Sequence, residues 1–554
     1  MAKYVIGIDF GTLSARALLV HAKTGEEIAS CEYKYPHGVM DEKLPNGKKL
    51  DIDWALQHPQ DYLDALARVV PRVLKIGEVS KDDVIGIGID FTACTILPVF
   101  KDGTPLCFLA EFMSNEHSYV KLWKHHAAQD KANRINDLAN ERDENWLIRY
   151  GGKISSEWAL PKLMEVMDEA PEIFEKMDFF IEAGDWLTWL MCEEAKVNAC
   201  CAGYKGLWNK REGYPSKEFL KQLDPRLENI YETKLGLPVY PSYTRAGTLT
   251  ERGAKLTTLN VGTPVSMANI DGHACLPAAR ITGPGKMLLI LGTSYVHKVL
   301  HSDEMPIPGI CGVVEDGILP GFYGYEAGQC GGGDHFAWFI ENNVPYKYYE
   351  EAKNHGMDIY AYMRQKASLL KAGESGLVAL DWWNGNRSVL VDADLSGLVV
   401  GMTLRTKPEE VYRALIEATA FGTKTIIDNF KISGIPITEI VAAGGIAKKD
   451  PLIMQILSDV TNMPISVVHT SYASALGSAI YASVAAGSEL GGYDDVYEAI
   501  GNMGKVDDFV YKPNPENAKT YTKLYEEYKL LHDYFGRGGN DVMKRLKNIA
   551  KEIN

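Results

Sequence analysis

Two segments far apart in this chain follow one plan, and that repeat constrains the fold more than any other feature. Residues 4–20, YVIGIDFGTLSARALLV, run as an apolar strand ending in Asp9, a turn Phe10-Gly11-Thr12, and a second strand from Ala15 to Val20. Residues 287–300, MLLILGTSYVHKVL, repeat the order of strand, Gly292-Thr293-Ser294 and strand. Glycine lets a turn bend until its N–H groups converge, and such a nest accepts phosphate oxygens. Thr12, Ser14, Thr293 and Ser294 add neutral donors, and Arg16 adds a fork-shaped cation. Asp9, at a strand end beside the nest, suits a Mg2+ ion or its water shell. Alone, the first segment reads equally well as an ordinary β-hairpin. The pair predicts two similar half-molecules, each offering a phosphate loop to a shared cleft.

Three further stretches suit that cleft, and two more read alone as ordinary structure. In residues 441–452, VAAGGIAKKDPL, a buried strand ends in Gly444-Gly445, where a flat ring can approach the backbone with Lys448 nearby. CGGGDHFAWFI, 330–340, is a glycine-rich turn into a helix, and Gly332 marks a second place where backbone can meet a nucleotide. The strand Val84–Ile89 runs into Asp90-Phe91-Thr92-Ala93-Cys94. Ligands gather beyond the carboxyl ends of such strands, and small Ala93 leaves room for one, although a plain turn fits too. In VSMANIDGHACLPAAR, 265–280, Asp271 falls between strand and helix, where it reads alone as an N-cap. Lys205, in the glycine-flanked loop 198–209, reads alone as solvent-exposed.

Composition narrows the class. With 554 residues the chain expects more than one domain and has ample interior for large cores. A net charge of −15 argues against nucleic acid or an anionic membrane as the main partner. Nine cysteines, none in a C-x-x-C pair, suit reduced thiols in a cytosol better than disulfides or zinc. No run approaches the roughly 20 apolar residues of a membrane helix, so a soluble, cytoplasmic protein is expected. Periodicity near 3.6 predicts helices over 54–75 (chiefly from Pro59), 157–167, 171–193, 408–431, 450–462 and 472–487. Residues 115–145, with His117, His125 and His126, read as a solvated helical insertion.

The order DFGT, NIDGHA, LGTS and AAGGIAKKDP resembles the FGGY carbohydrate kinases, members of the actin-like, ribonuclease-H-like ATPase superfamily, over residues 3–490. The resemblance implies an α/β fold of two actin-like domains, 1–282 and 283–490, with a cleft between them and a helical extension, 491–554. It implies ATP and Mg2+, and phosphorylation of a sugar's terminal hydroxyl, with L-ribulose ahead of D-ribulose, ribitol, xylulose or glycerol. Asp271 becomes the base that takes the sugar's proton. Ala93, Lys205, Asp271 and Glu326 of GYEAGQ face the sugar, while Gly332, Gly444, Gly445 and Lys448 flank the adenosine. A homodimer is expected. Asp90-Phe91-Thr92-Ala93 and Lys448-Lys449 depart from the family average, which weakens glycerol and xylulose as substrates. A filament-forming or chaperone ATPase of the same superfamily is the remote alternative.

Overall fold

The structure, a computed structural model, describes residues 2–553. The repeat read from the two hairpins extends to two whole sheets. The first holds β1 (Tyr4–Phe10), β2 (Ser14–His21), β3 (Glu27–Lys34), β4 (Val84–Phe91), β5 (Arg245–Thr248), β6 (Pro264–Ser266) and β7 (Asn269–Ile270). Its order is β5-β6-β4-β1-β2-β3, with β7 also on β4. The second holds β8 (Gly285–Leu291), β9 (Tyr295–His301), β10 (Gly312–Glu315), β11 (Tyr323–Gln329), β12 (Ile437–Ala443), β13 (Ile465–Val468) and β14 (Val506–Tyr511), ordered β10-β11-β9-β8-β12-β13-β14. In each, an antiparallel meander (β1-β2-β3, β8-β9-β11) adjoins parallel strands (β1-β4-β6, β8-β12-β13). An antiparallel strand, β5 or β14, then flanks each parallel run.

Eight helices matter for the site: α1 (Pro59–Gly77), α2 (Ala199–Gly206), α3 (Asp271–Ala278), α4 (Gly333–Asn343), α5 (Pro408–Ile432), α6 (Pro451–Thr461), α7 (Ala473–Ala486) and α8 (Pro515–Gly536). Pro59 and Pro408 open their helices at the first turn, where a missing N–H costs nothing.

The two sheets meet across α3 and α7. Although α7 comes late in the chain, it lies on the first sheet, and the contact is backbone on backbone. A Cβ at Gly7 would fall 1.8 Å from the Ala475 carbonyl oxygen, and one at Gly88 would fall 2.3 Å from that of Ser478. Gly477 of α7 approaches α3 as closely, with a Cβ there falling 1.7 Å from the Ala274 oxygen. Cys275 and Leu276 of α3 share a core with Leu288, Leu300 and Val441 of the second sheet. Each fully buried leucine or valine of that core contributes about 1.5–3 kcal/mol.

Four expectations change. Residues 171–193 are not one helix: Pro171–Lys176 and Ala183–Cys192 flank a strand, Phe179–Glu182, drawn into pairing by Ile96–Val99. Residues 198–209 contain α2 rather than an open loop, because the Asn198 side chain caps it by accepting the Cys201 N–H at 2.8 Å. The 115–145 stretch is not solvated throughout. Lys121 and His125 are fully buried, and both lie on the Glu165 carboxylate, at 2.7 and 2.8 Å. Burial holds the His125 imidazole down at about 3, so it is neutral. Finally, 491–554 is more than a helical extension, since β14 joins the second sheet and Tyr521 and Tyr528 of α8 enter its core. Among the described residues no helix is long and apolar enough to cross a membrane.

Candidate active site

Three strand ends bring three carboxyls together. β1 and β4 run parallel with Asp9 beside Asp90, and β7 lays Asn269-Ile270 beside Asp90-Phe91, so Asp271 enters α3 at the same sheet end. Burial raises the proton affinity of all three. For Asp271 the neighbouring Asp9 charge adds to burial, the Gly272 N–H at 2.6 Å and the Lys298 cation oppose it, and the result is about 7. Asp90 is driven well above the carboxylate range by burial and Asp9, against the Ser478 hydroxyl that α7 donates at 2.5 Å. Asp9 is raised less, with Arg16 3.7 Å away. Asp90 Oδ1 is buried without a hydrogen-bond partner. Two adjoining carboxyls, Asp90 buried with one oxygen unsatisfied and Asp9 half-buried, fit a hard divalent cation with part of its water shell. They do not close with a third side chain into a direct cage among the described residues.

In the first loop the Gly11 N–H closes the turn on the Ser14 carbonyl at 3.0 Å. Thr12 Oγ1 accepts the Trp123 indole N–H at 3.1 Å, which leaves the threonine's own proton to donate. Ser14 is different. Its buried hydroxyl donates to Glu32 at 2.6 Å, so it stiffens the hairpin instead of facing the cleft as a free donor. Arg16 sits between Asp9 and Glu32.

In the second loop the Gly292 N–H meets the Ser294 carbonyl at 3.2 Å, and Thr293 is exposed. Gly332 is packed against that loop, a Cβ there falling 2.7 Å from the Tyr295 ring and 2.8 Å from the Thr293 oxygen. Gly444, at φ 95°, lets the chain cross β8, where a Cβ would fall 2.4 Å from the Leu291 oxygen, whereas Gly445 faces open space. Lys448 is bound 2.7 Å from Asp507 of β14, which also holds His469. Of the four residues expected around adenosine, Gly445 alone presents an uncommitted surface. Gly332 and Gly444 brace the second loop and its strand, and Lys448 is tied to the sheet edge.

Beyond Asp271 lies a cluster that mixes apolar side chains with an ion-paired set. Ala93 is half-buried against Cys200, Cys201 and Tyr204 of α2, with Ile270 and Val314. Lys205, near the end of α2, is buried, its ammonium 4.1 Å from the Trp158 ring centroid and 3.7 Å from Glu157 Oε2. Glu326 of β11 pairs in register with Lys298 of β9 and takes its ammonium directly. Burial works to raise Glu326, but the Lys298 and Lys205 ammoniums hold it below the ordinary carboxylate range. His273 of α3 lies with Nε2 2.9 Å from Lys298 Nζ, and burial keeps its ring neutral as the acceptor. Lys298, His273, Glu157, Arg387 and Trp123 were not among the sequence candidates, and Asp90 was read only as part of the ligand-facing stretch 90–94. The signal for Lys298 was a cation inside the apolar strand YVHKVLH.

Comparison with known proteins shows the family. Residues 4–276 match the N-terminal domain, and residues 287–486 the C-terminal domain, of the FGGY family of carbohydrate kinases. A ribulokinase of Bacillus licheniformis is 56% identical over 97% of this chain and 97% of its own. One from Halalkalibacterium halodurans is 54% identical over 99% of this chain and 97% of its own. The crystal structure of ligand-bound xylulose kinase from Lactobacillus acidophilus superposes with a TM-score of 0.78 at 19% identity, covering 97% of this chain and 99% of that one. Plasmodium falciparum glycerol kinase with ADP gives 0.74 at 17% identity, covering 95% and 98%, and these two likenesses concern the fold alone. Matched in both halves and over nearly its whole length, the chain belongs to the FGGY family of carbohydrate kinases and is a sugar kinase.

Proposed function

We propose that the chain transfers the γ-phosphoryl group of ATP to the terminal hydroxyl of L-ribulose. The observation that carries the chemistry is Asp271, a half-buried carboxyl with a proton affinity near 7 on the helix that bridges the two sheets. A base poised near neutral pH contributes about 10²–10⁴ in rate. The choice of ribulose is supported by relatives named as ribulokinases, among them one from Mycolicibacterium smegmatis at 46% identity over 98% of this chain.

In this reading Gly11 and Thr12 hold the β- and γ-phosphates from one wall, with Arg16 beside them. Gly292, Thr293 and Ser294 hold them from the other. Lys205 and Glu326 bind sugar oxygens, and Ala93 leaves the space. Asp271 takes the hydroxyl proton as that oxygen attacks the γ-phosphorus in line. The new P–O bond forms as the bond to the β-phosphate oxygen breaks, and ADP leaves with that electron pair. Mg2+ held through Asp9 and Asp90 would neutralise charge on the phosphates. The adenosine lies by Gly445. Because each wall belongs to a different half, 1–282 or 283–490, closure on the sugar assembles the site and suppresses transfer to water.

The test is ATP consumption with L-ribulose, D-ribulose, L- and D-xylulose, ribitol, glycerol and no sugar. A strong preference for L-ribulose with a negligible blank is expected. Equal turnover without sugar would overturn the kinase reading. A preference for glycerol or xylulose would keep Asp271 as base and discard the role given to residues 90–94.

A further inference from the structure

Charged side chains of alternating sign run along the sugar side of the seam: Arg387, Glu157, Lys205, Glu326 and Lys298. Arg387 Nη2 lies 3.0 Å from Glu157 Oε1, and Glu157 Oε2 lies 3.7 Å from the Lys205 ammonium. Lys205 and Glu326 each stabilise the charge of the other, and Lys298 closes on Glu326. Arg387 is fixed to the second half. Its Cδ lies over β11, 3.3 Å from where a Cβ on Gly328 would stand, and the next residue's hydroxyl, Ser388 Oγ, accepts the Gly328 N–H at 3.2 Å. Glu157 is fixed to the first half, next to Trp158, whose ring lies under Lys205. Among the described residues Glu157 is the one carboxylate paired within 4.0 Å of Lys205. A partly buried ion pair yields little net stability after desolvation, but it fixes direction well.

We infer that Glu157 and Arg387 are positioning residues for the sugar: Glu157 aims the Lys205 ammonium, and Arg387 holds Glu157 in that pose only while the two halves are together. Sugar affinity is thereby tied to closure by a pair that touches neither ATP nor the reacting atoms. The inference rests on the ribulose-kinase reading above.

The experiment compares E157Q, R387M, R387K and the double variant E157Q/R387M by KM for L-ribulose, KM for ATP, kcat and melting temperature. Each of E157Q and R387M should raise the ribulose KM about tenfold, the scale of one charged hydrogen bond, with the ATP KM within about twofold. The double variant should be no worse than the worse single, and R387K should recover part of the loss. E157Q, isosteric and neutral, carries the test if R387M fails to fold. A ribulose KM unchanged in E157Q, or effects that multiply in the double variant, would overturn the inference. A wild-type protein inert toward ribulose would instead overturn the reading it rests on.

Discussion

The Gly11 and Gly292 hairpin turns occupy the same place in two sheets of the same topology, yet one wall is charged and the other is not. Register aligns Ile290 with Asp9, Val296 with Arg16 and Ala443 with Asp90. One strand further out, Gly328 stands where the first half has Glu32. The first wall carries charge: two carboxyls, Asp9 and Asp90, and one guanidinium, Arg16. The second relies on backbone N–H groups, glycines and hydroxyls. In the function proposed above, a second acidic wall would face the same phosphates with like charge, costing on the order of 1 kcal/mol at 4 Å in water and more in a closed site. The asymmetry reverses toward the sugar. There the second half supplies Lys298 and Glu326, where the first half has Leu18 and Ser30. A shared fold thus carries two different charge patterns.

The comparison breaks most visibly at Asp9. Asp9→Asn should lower kcat about 10²–10³-fold, the scale of a lost preorganised electrostatic group, while Ile290→Ala at the matching position changes kcat less than about threefold. Equal losses would mean that the walls are not divided in this way. A smaller effect is read from pH. Because the base must be ionised, kcat/KM for the sugar should climb about tenfold per pH unit and level off above about 7, where burial and the Asp9 charge place Asp271. A limb at the free-carboxylate value near 4 would put the base elsewhere. Removing the Asp9 charge should move the limb to lower pH. The double glycine sharpens the contrast within one turn: Gly444→Ala should cost about 1–3 kcal/mol in denaturant unfolding, Gly445→Ala less than about 0.5. Smallest of all, Lys448→Met should leave the ATP KM within about twofold, because Asp507 already holds that ammonium. A large rise would restore Lys448 to the nucleotide.

Local pattern made much of the frame legible. The hairpins at Gly11 and Gly292 and the helices at 408–432 and 473–486 follow from periodicity, glycine and proline placement alone. What escaped depends on partners distant in sequence. Glu165 is what makes Lys121 and His125 buried residues, and it lies some 40 positions away from them. Ser14 reads as a phosphate donor until Glu32 is brought beside it by β3. Gly444 reads as a ring-binding glycine, yet the Leu291 carbonyl already fills the space a side chain would need. Residues 491–554 read as a helical extension, but Tyr521 and Tyr528 find Glu417 and Asp381, at 2.9 Å each, inside the second half. In each case the residue type was informative and its direction was not.

The central claim is that Asp271, between the charged wall and the sugar pocket, is the proton acceptor. The direct measurement is the kcat of Asp271→Asn with L-ribulose, alongside its dissociation constant for ATP. The account predicts a fall of at least about 10²-fold with ATP affinity unchanged. A fall below tenfold with ATP still bound would contradict it.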